Sequence, residues 1–132
     1  MEVPHDAVLL RIFTSVADRW KMGPLYLGIV DKARELHLAG ATVLRGPLGF
    51  GQSGKLHRGN LLPLTQDVPV VIEIVDSEDK INEFLPVLDE MMESGLVTIE
   101  KAQVLHYGRQ RASLMSRLKQ QLGISARPPL VH

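Results

Sequence analysis

PVVIEIV, residues 69–75, holds five β-branched side chains and a single charge, Glu73. Branched side chains fit a pleated surface, and one acid in such a run marks a mostly buried strand. Its downstream neighbours define the unit. Asp76 or Ser77 is suited to cap a helix, and Glu78 and Asp79 fall where a helix N-terminus favours negative charge. Ile81, Phe84, Leu85, Leu88 and Met91 recur at helical spacing, and Gly95 ends the helix. Pro86 removes the N–H that would bond to Asn82, which predicts a kink. VTIEKAQVL, residues 97–105, reads as the next strand.

The same pattern occurs upstream. AVLLRIF, residues 7–13, has apolar side chains on both faces of a strand. The polar connection TSVADRWKMG leads to Pro24, well placed in the first turn of a helix. Tyr26, Ile29, Val30, Ala33 and Leu36 give that helix its stripe over about residues 24–38, and Gly40 is the expected stop. A short strand starts at about Ala41. Two β-α-β units predict an α+β, ferredoxin-like split βαβ sandwich: a four-stranded antiparallel sheet with two helices on one face. The helices can cover only that face. The other, apolar as well, is expected to be sealed by further copies in a closed ring or dimer.

With 132 residues the chain supports one domain with its own core. Residues 1–107 form that body and residues 108–132 a C-terminal helical extension. Cysteine is absent, which excludes disulfides, a thiol nucleophile and cysteine-ligated zinc. No apolar run approaches the ~20 residues of a membrane span. MEVPHDAVLL lacks the cations of a signal peptide. These features predict a cytoplasmic protein. The formal net charge is zero, which argues against steering onto nucleic acid. Charge is unevenly placed, however: no acid follows Glu100, whereas Lys101, Arg109, Arg111, Arg117, Lys119 and Arg127 do. Leu114, Leu118 and Leu122 form one row of a helix expected over residues 109–122.

Between the two units lies LRGPLGFGQSGKLHRGN, residues 44–60, with five glycines, three Lys or Arg side chains, His57 and no acid. Gly49, Gly51 and Gly54 satisfy the dinucleotide fingerprint, and GFGQSGK satisfies a P-loop short of its hydroxyl, Leu56 standing in its place. Both motifs need a helix to follow, and Gly59 and Pro63 leave no room for one. The glycines instead predict a long loop, 49–68, poorly fixed without a partner and suited by Lys55, His57 and Arg58 to anions or an acidic surface.

Other chemistry is weakly supported. The His residues, at 5, 37, 57, 106 and 132, form no i, i+4 pair, and only His57 lies near a suspected site. Ser53 lacks the strand-to-helix elbow of a nucleophile. Asp89, Glu90 and Glu93 read as the solvated face of the second helix. Trp20 either stacks on a ligand ring or plugs a seam between copies, with the seam favoured. The third strand offers no aromatic for base stacking, so RNA binding by the sheet is rejected.

PLYLGIVDKARELHLAGATVLRGPLGFG, LHRG and DVPVVIEIVDSEDKINEFLPVLDEMMESGLVTIEKAQV together resemble an uncharacterised bacterial and archaeal family of PII-like proteins. The resemblance spans about Ala7 to Tyr107. It implies a ferredoxin-like subunit, usually a homotrimer, within the superfamily of PII signalling proteins and CutA. It also implies a loop after the second strand that contacts a transporter or enzyme, and small effectors, often adenine nucleotides, in the clefts between subunits. Two departures stand out. The turn MMESGLVT lacks the lysine that PII proteins use against nucleotide, and residues 44–68 lack the modified tyrosine. Arg109 and Arg111 loosely resemble the paired arginines of the PII cleft.

The expectation is a non-enzymatic regulator that binds a small anion, such as an adenine nucleotide, through Arg45, Gly49, Gly51, Lys55, His57, Arg58, Arg109 and Arg111. The alternative is a CutA-like trimer with His57 as a metal ligand.

Overall fold

A computed structural model describes residues 3–50, 57–58, 68–108 and 114–123. In chain order the elements are β1 (Asp6–Ser15), β2 (Arg19–Trp20), β3 (Gly23–Pro24), α1 (Leu25–Glu35), β4 (Thr42–Arg45) and β5 (Leu48–Gly49). They continue as β6 (His57–Arg58), β7 (Pro69–Asp76), α2 (Glu78–Met91), β8 (Leu96–Gln103) and α3 (Leu114–Gln121). The main sheet runs β4–β7–β1–β8, with every neighbouring pair antiparallel. β1 and β4 are therefore parallel but separated by β7, and β7 and β8 are parallel but separated by β1. That is the split βαβ arrangement expected from the two units.

β7 alternates as its sequence requires. Val70, Ile72, Ile74 and Asp76 turn inward and are buried, while Pro69, Val71, Glu73 and Val75 are half-buried on the opposite face. Val8, Leu10 and Ile12 of β1 join the inward set. Leu25, Ile29 and Ala33 of α1 and Ile81, Phe84, Leu88 and Met91 of α2 close over it. Apolar burial of this kind contributes about 25 cal/mol per Å² removed from water, and it is the main force holding the two layers together.

The ends of the helices are set by specific bonds. Ser77 Oγ accepts from the Lys80 backbone N–H, so Ser77 is the cap of α2. α2 runs unbroken through Pro86. The first helix stops earlier than expected. Rather than reaching residue 38 and ending at Gly40, α1 ends at Glu35, with His37 in the left-handed conformation at φ 62°. The Leu38 N–H donates to Ala33 O and the His37 N–H to Arg34 O, and buried Leu38 and Ala33 complete a Schellman cap. Asp76, only 1% exposed, joins the helix ends to the sheet. Its carboxylate accepts from the Ala39 N–H at 2.8 Å and the Ser77 N–H at 2.7 Å.

The connection after β1 is more ordered than a plain loop. β2 and β3 pair as a small hairpin, Arg19 opposite Pro24 and Trp20 opposite Gly23, with Lys21 at φ 53° in its turn. Asp18 closes the approach by accepting from the Thr14 hydroxyl and the Ser15 N–H. The Trp20 ring packs within its own chain: a Cβ on Gly28 would stand 2.6 Å from it. Neither a stacked ligand nor a seam between copies is needed to explain that tryptophan.

Removing the Asp76 carboxylate leaves two N–H groups unsatisfied at a buried junction. Asp76→Ala is expected to lose about 3 kcal/mol, and Asp76→Asn less because one acceptor remains. Urea unfolding at unchanged m-value is the measurement. A loss under about 1 kcal/mol for the alanine variant would refute this role.

Candidate functional site

Among the described residues, this packing leaves three surfaces open. The first is the sheet face away from the helices. The register brings Leu9, Arg11 and Phe13 of β1 beside Val75, Glu73 and Val71 of β7 and beside Glu100, Thr98 and Leu96 of β8. Leu44 of β4 extends the same face opposite Val71. Leu44 and Leu96 are about half exposed, at 49% and 57%. In the middle of this apolar surface Arg11 Nε donates to Glu73 at 2.8 Å, and Arg11 Nη1 donates to Glu100. The bond to Glu73, and then the Glu100 charge, raise the Arg11 guanidinium above its ordinary range, so it remains a cation. Two carboxylates share one cation there.

The second surface is the β4 edge, where the glycine-rich segment begins. Arg45 projects on the helix side, its Nη2 donating to the Tyr26 hydroxyl at 3.3 Å with the guanidinium 6.0 Å from the ring centroid. Leu48 and Gly49 of β5 pair with Arg58 and His57 of β6, so the segment leaves the sheet as a narrow ribbon. Gly49 lies close against the Pro69 ring: a Cβ there would stand 3.3 Å from it, tighter than an ordinary contact. Phe50, just beyond, is 72% exposed. Lys55, Gly51, Arg109 and Arg111 lie outside the described residues, as does the expected mobility of the loop, and the side chains of His57 and Arg58 are not described.

The third surface is a cleft of about 700 Å³ between α2 and the β8 edge. Leu85, Met92 and Val97 supply apolar walls, Asn82, Asp89, Glu93 and Ser94 the polar groups, and the 92–95 turn closes one end. Pro86 lines it too, which leaves the Asn82 carbonyl without its usual helical donor on that side. Val97 and Ile99 face the helix layer, by their register with Ile12 and Leu10, yet α2 does not reach over them. The sequence reading assigns Asp89 and Glu93 to a solvated helix face. Both are exposed, as that reading implies, and they also rim this cleft. A volume of this size suits a small ligand.

The cleft and Arg45 belong to one level of the sheet. Arg45 pairs with Val70, Val70 with Thr14, and Phe13 with Leu96, so Arg45 and Gly95 stand at the same end on opposite edges. Three strand spacings put them ~14 Å apart, too far for one small anion to touch both in a single protomer. Among the described residues, no three His, Asp or Glu gather to hold a metal ion. No described helix is long and apolar enough to cross a membrane.

The strand order and the one-sided helices define a ferredoxin-like fold, with a ribbon leaving β4. The overall structure is similar to a PII-like signalling protein of Thermus thermophilus, with TM-score 0.58 and 19% identity over 75% of this chain and 89% of that one. It is also similar to CPII, a nitrogen regulatory PII-like protein of Thiomonas intermedia K12 bound to ADP, AMP and bicarbonate. There the TM-score is 0.53 and the identity 20%, over 75% of this chain and 88% of that one. The chain itself belongs to the DUF190 family, described as "Uncharacterized ACR, COG1993", which matches residues 7–104. A UPF0166 protein of Aquifex aeolicus (strain VF5) is 38% identical over 98 residues, 74% of this chain and 92% of that protein. A UPF0166 protein of Methanocaldococcus jannaschii is 32% identical over 99 residues, covering 74% and 91% respectively.

Gly95 governs the closed end of the cleft. Its φ is 127°, and an added Cβ would stand 2.9 Å from the Phe13 carbonyl oxygen and 2.6 Å from Met92 Cε. Gly95→Ala is expected to cost about 2 kcal/mol or more, read as a lowered thermal midpoint. Retention of the wild-type midpoint would show that the turn relaxes freely.

Proposed function

We propose that the protein is a non-enzymatic, cytoplasmic PII-like regulator, assembled as a homotrimer, that binds a small anionic effector at the clefts between subunits. The observation that carries this reading is the placement of Arg45 and the α2–β8 cleft on opposite edges at one level of the sheet. Setting the β4 edge of one copy beside the β8 edge of the next unites them, which no single copy can do. Arg45 supplies charge, and Gly49 and Gly51 let backbone approach the ligand. Lys55, His57 and Arg58 extend the cationic surface along the 49–68 loop. Arg109 and Arg111 add to it from the start of the extension.

The ligand class is an adenine nucleotide or a comparably small anion. CPII, which shares the fold, was found with ADP, AMP and bicarbonate. In the present chain Asp89 and Glu93 line the cleft, so its cations must come mainly from the β4 side and the extension. That favours an effector of modest negative charge, such as a monophosphate or bicarbonate, over a triphosphate, whose added charge meets the acids. The ordered loop would then contact a transporter or enzyme, shifted between states only by the effector's differential affinity for them.

Calorimetric titration with AMP, ADP, ATP and bicarbonate tests the reading, alongside a solution mass. The expected result is a trimer that binds AMP or bicarbonate, with affinity lowered about tenfold in Arg45→Ala, the scale of one charge-assisted bond. A compact monomer, or a trimer indifferent to all four, would end the effector reading. A CutA-like metal trimer predicts stoichiometric metal in the purified protein, lost in His57→Ala.

A further inference from the structure

We infer that the effector is two-ended and lies in one direction along the seam between copies. An amine-bearing aromatic ring enters the α2–β8 cleft, where the amine donates to the Asn82 carbonyl, and the anionic end points out to Arg45 of the partner subunit. This rests on the effector reading above and narrows it to one class of ligand.

The cleft is a poor place for an anion. Asp89 and Glu93 stand on its rim, and no Lys, Arg or His is among the described residues that line it. The C-terminal end of α2 carries partial negative charge beside the same space, and its last turn holds no basic residue. A phosphate placed there would lose water and meet like charge with no cation to offset it. The β4 edge is the opposite case. Arg45 is exposed, and its described partner is the Tyr26 hydroxyl, a neutral group that leaves the positive charge uncancelled.

What the cleft does offer is apolar walls and an acceptor. Leu85, Met92 and Val97 present apolar surface suited to the faces of a flat ring. Asn82 and Pro86, four residues apart on α2, line the same space. A helical carbonyl ordinarily accepts from the N–H four residues further on, but Pro86 has none, and its ring crowds the Asn82 carbonyl aside. The helix nevertheless runs unbroken through Pro86, so it holds that acceptor in a fixed place. Proline is costly in a helix interior, and here it stands where the carbonyl it releases can serve a ligand. Pro86 is thus a positioning residue that acts through Asn82. An acceptor flanked by carboxylates demands a donor. An amine on the ring meets that demand, whereas a ring carbonyl at the same position would set acceptor against acceptor. Bicarbonate has no ring and gains nothing from the apolar walls.

Calorimetric titration of the full chain with adenosine, AMP and IMP tests this direction. IMP carries a carbonyl where AMP carries the ring amine. AMP should bind about tenfold or more tightly than IMP, the scale of a hydrogen bond exchanged for an unpaired acceptor. Arg45→Ala should weaken AMP about tenfold and leave adenosine unchanged, because adenosine has no anionic end. Pro86→Ala suits the helix, so folding is not at risk, and it returns an N–H to the Asn82 carbonyl. That variant should cut the preference for AMP over IMP about threefold or more, whereas a role in helix shape alone would move both ligands together and keep their ratio. Equal binding of AMP and IMP, or a ratio that Pro86→Ala leaves unchanged, overturns the inference while the effector reading stands. Any result in Arg45→Ala other than selective loss of AMP overturns it as well. If none of the three ligands binds, the inference falls, and the bicarbonate titration decides the effector reading by itself.

Discussion

One-sided cover is the constraint from which the other features follow. Two helices on a four-stranded sheet bury the inward residues of β1 and β7, and they cannot also reach the outer face or the β8 edge. Val70, Ile72, Ile74, Leu10 and Ile12 are sealed, whereas Leu44, Leu96 and Ile99 remain about half exposed. In one protomer those side chains form a surface too apolar to be indifferent to association. The Arg11–Glu73–Glu100 group adds a condition to any contact made there. Two carboxylates on one guanidinium are tolerable in water, but between packed surfaces the surplus negative charge is costly unless a cation opposes it. A covering surface must therefore be apolar around its rim and positive or wet at its centre, which selects its partner and its register more than it adds stability.

Much of this was legible in the sequence because it depends on periodicity. The alternation in PVVIEIV, the stripe from Ile81 to Met91 and the Ser77 cap each encode a local structure that the tertiary fold only confirms. What escaped was set by geometry across the chain. The β2–β3 hairpin is two residues long on each side, too short to alternate, and its turn places Lys21 where Gly or Asn would have signalled it. α1 ends through His37 rather than at Gly40, and the available clue was Leu38, an apolar residue placed to meet Ala33 across a Schellman turn. Asp89 and Glu93 are exposed, as a solvated helix face implies. Only the knowledge that β8 is an edge strand, short of helical cover, turns that face into the wall of a cleft. The ion group is less legible still, since positions 11, 73 and 100 become neighbours through the register alone.

Of the candidate binding residues, Arg45 and Gly49 have described surroundings, and both stand at the β4 edge where the sequence placed the base of the loop. The glycine count there predicts conformational freedom. Part of it is fit: Gly46 and Gly49 both lie against the Pro69 ring, where a Cβ would come within 3.2 and 3.3 Å. The root of the segment is thus constrained by close packing.

The two edges of the sheet differ in sign, and that difference bears on how copies meet. Arg45 marks the β4 edge, from which the acid-free stretch 44–60 departs, while Asp89 and Glu93 mark the β8 edge. A two-fold contact joins the same edge of two copies, residue i meeting residue j and j meeting i, so it never brings Arg45 to the Asp89–Glu93 side. A head-to-tail contact pairs opposite signs at every junction, and such contacts close only as rings or run on as filaments. Strand twist turns each successive subunit in a constant sense, and an apolar face turned inward gains most when the ring is small enough for those faces to meet. The charge on the edges and the apolar surface on the face therefore both suit the small ring proposed above.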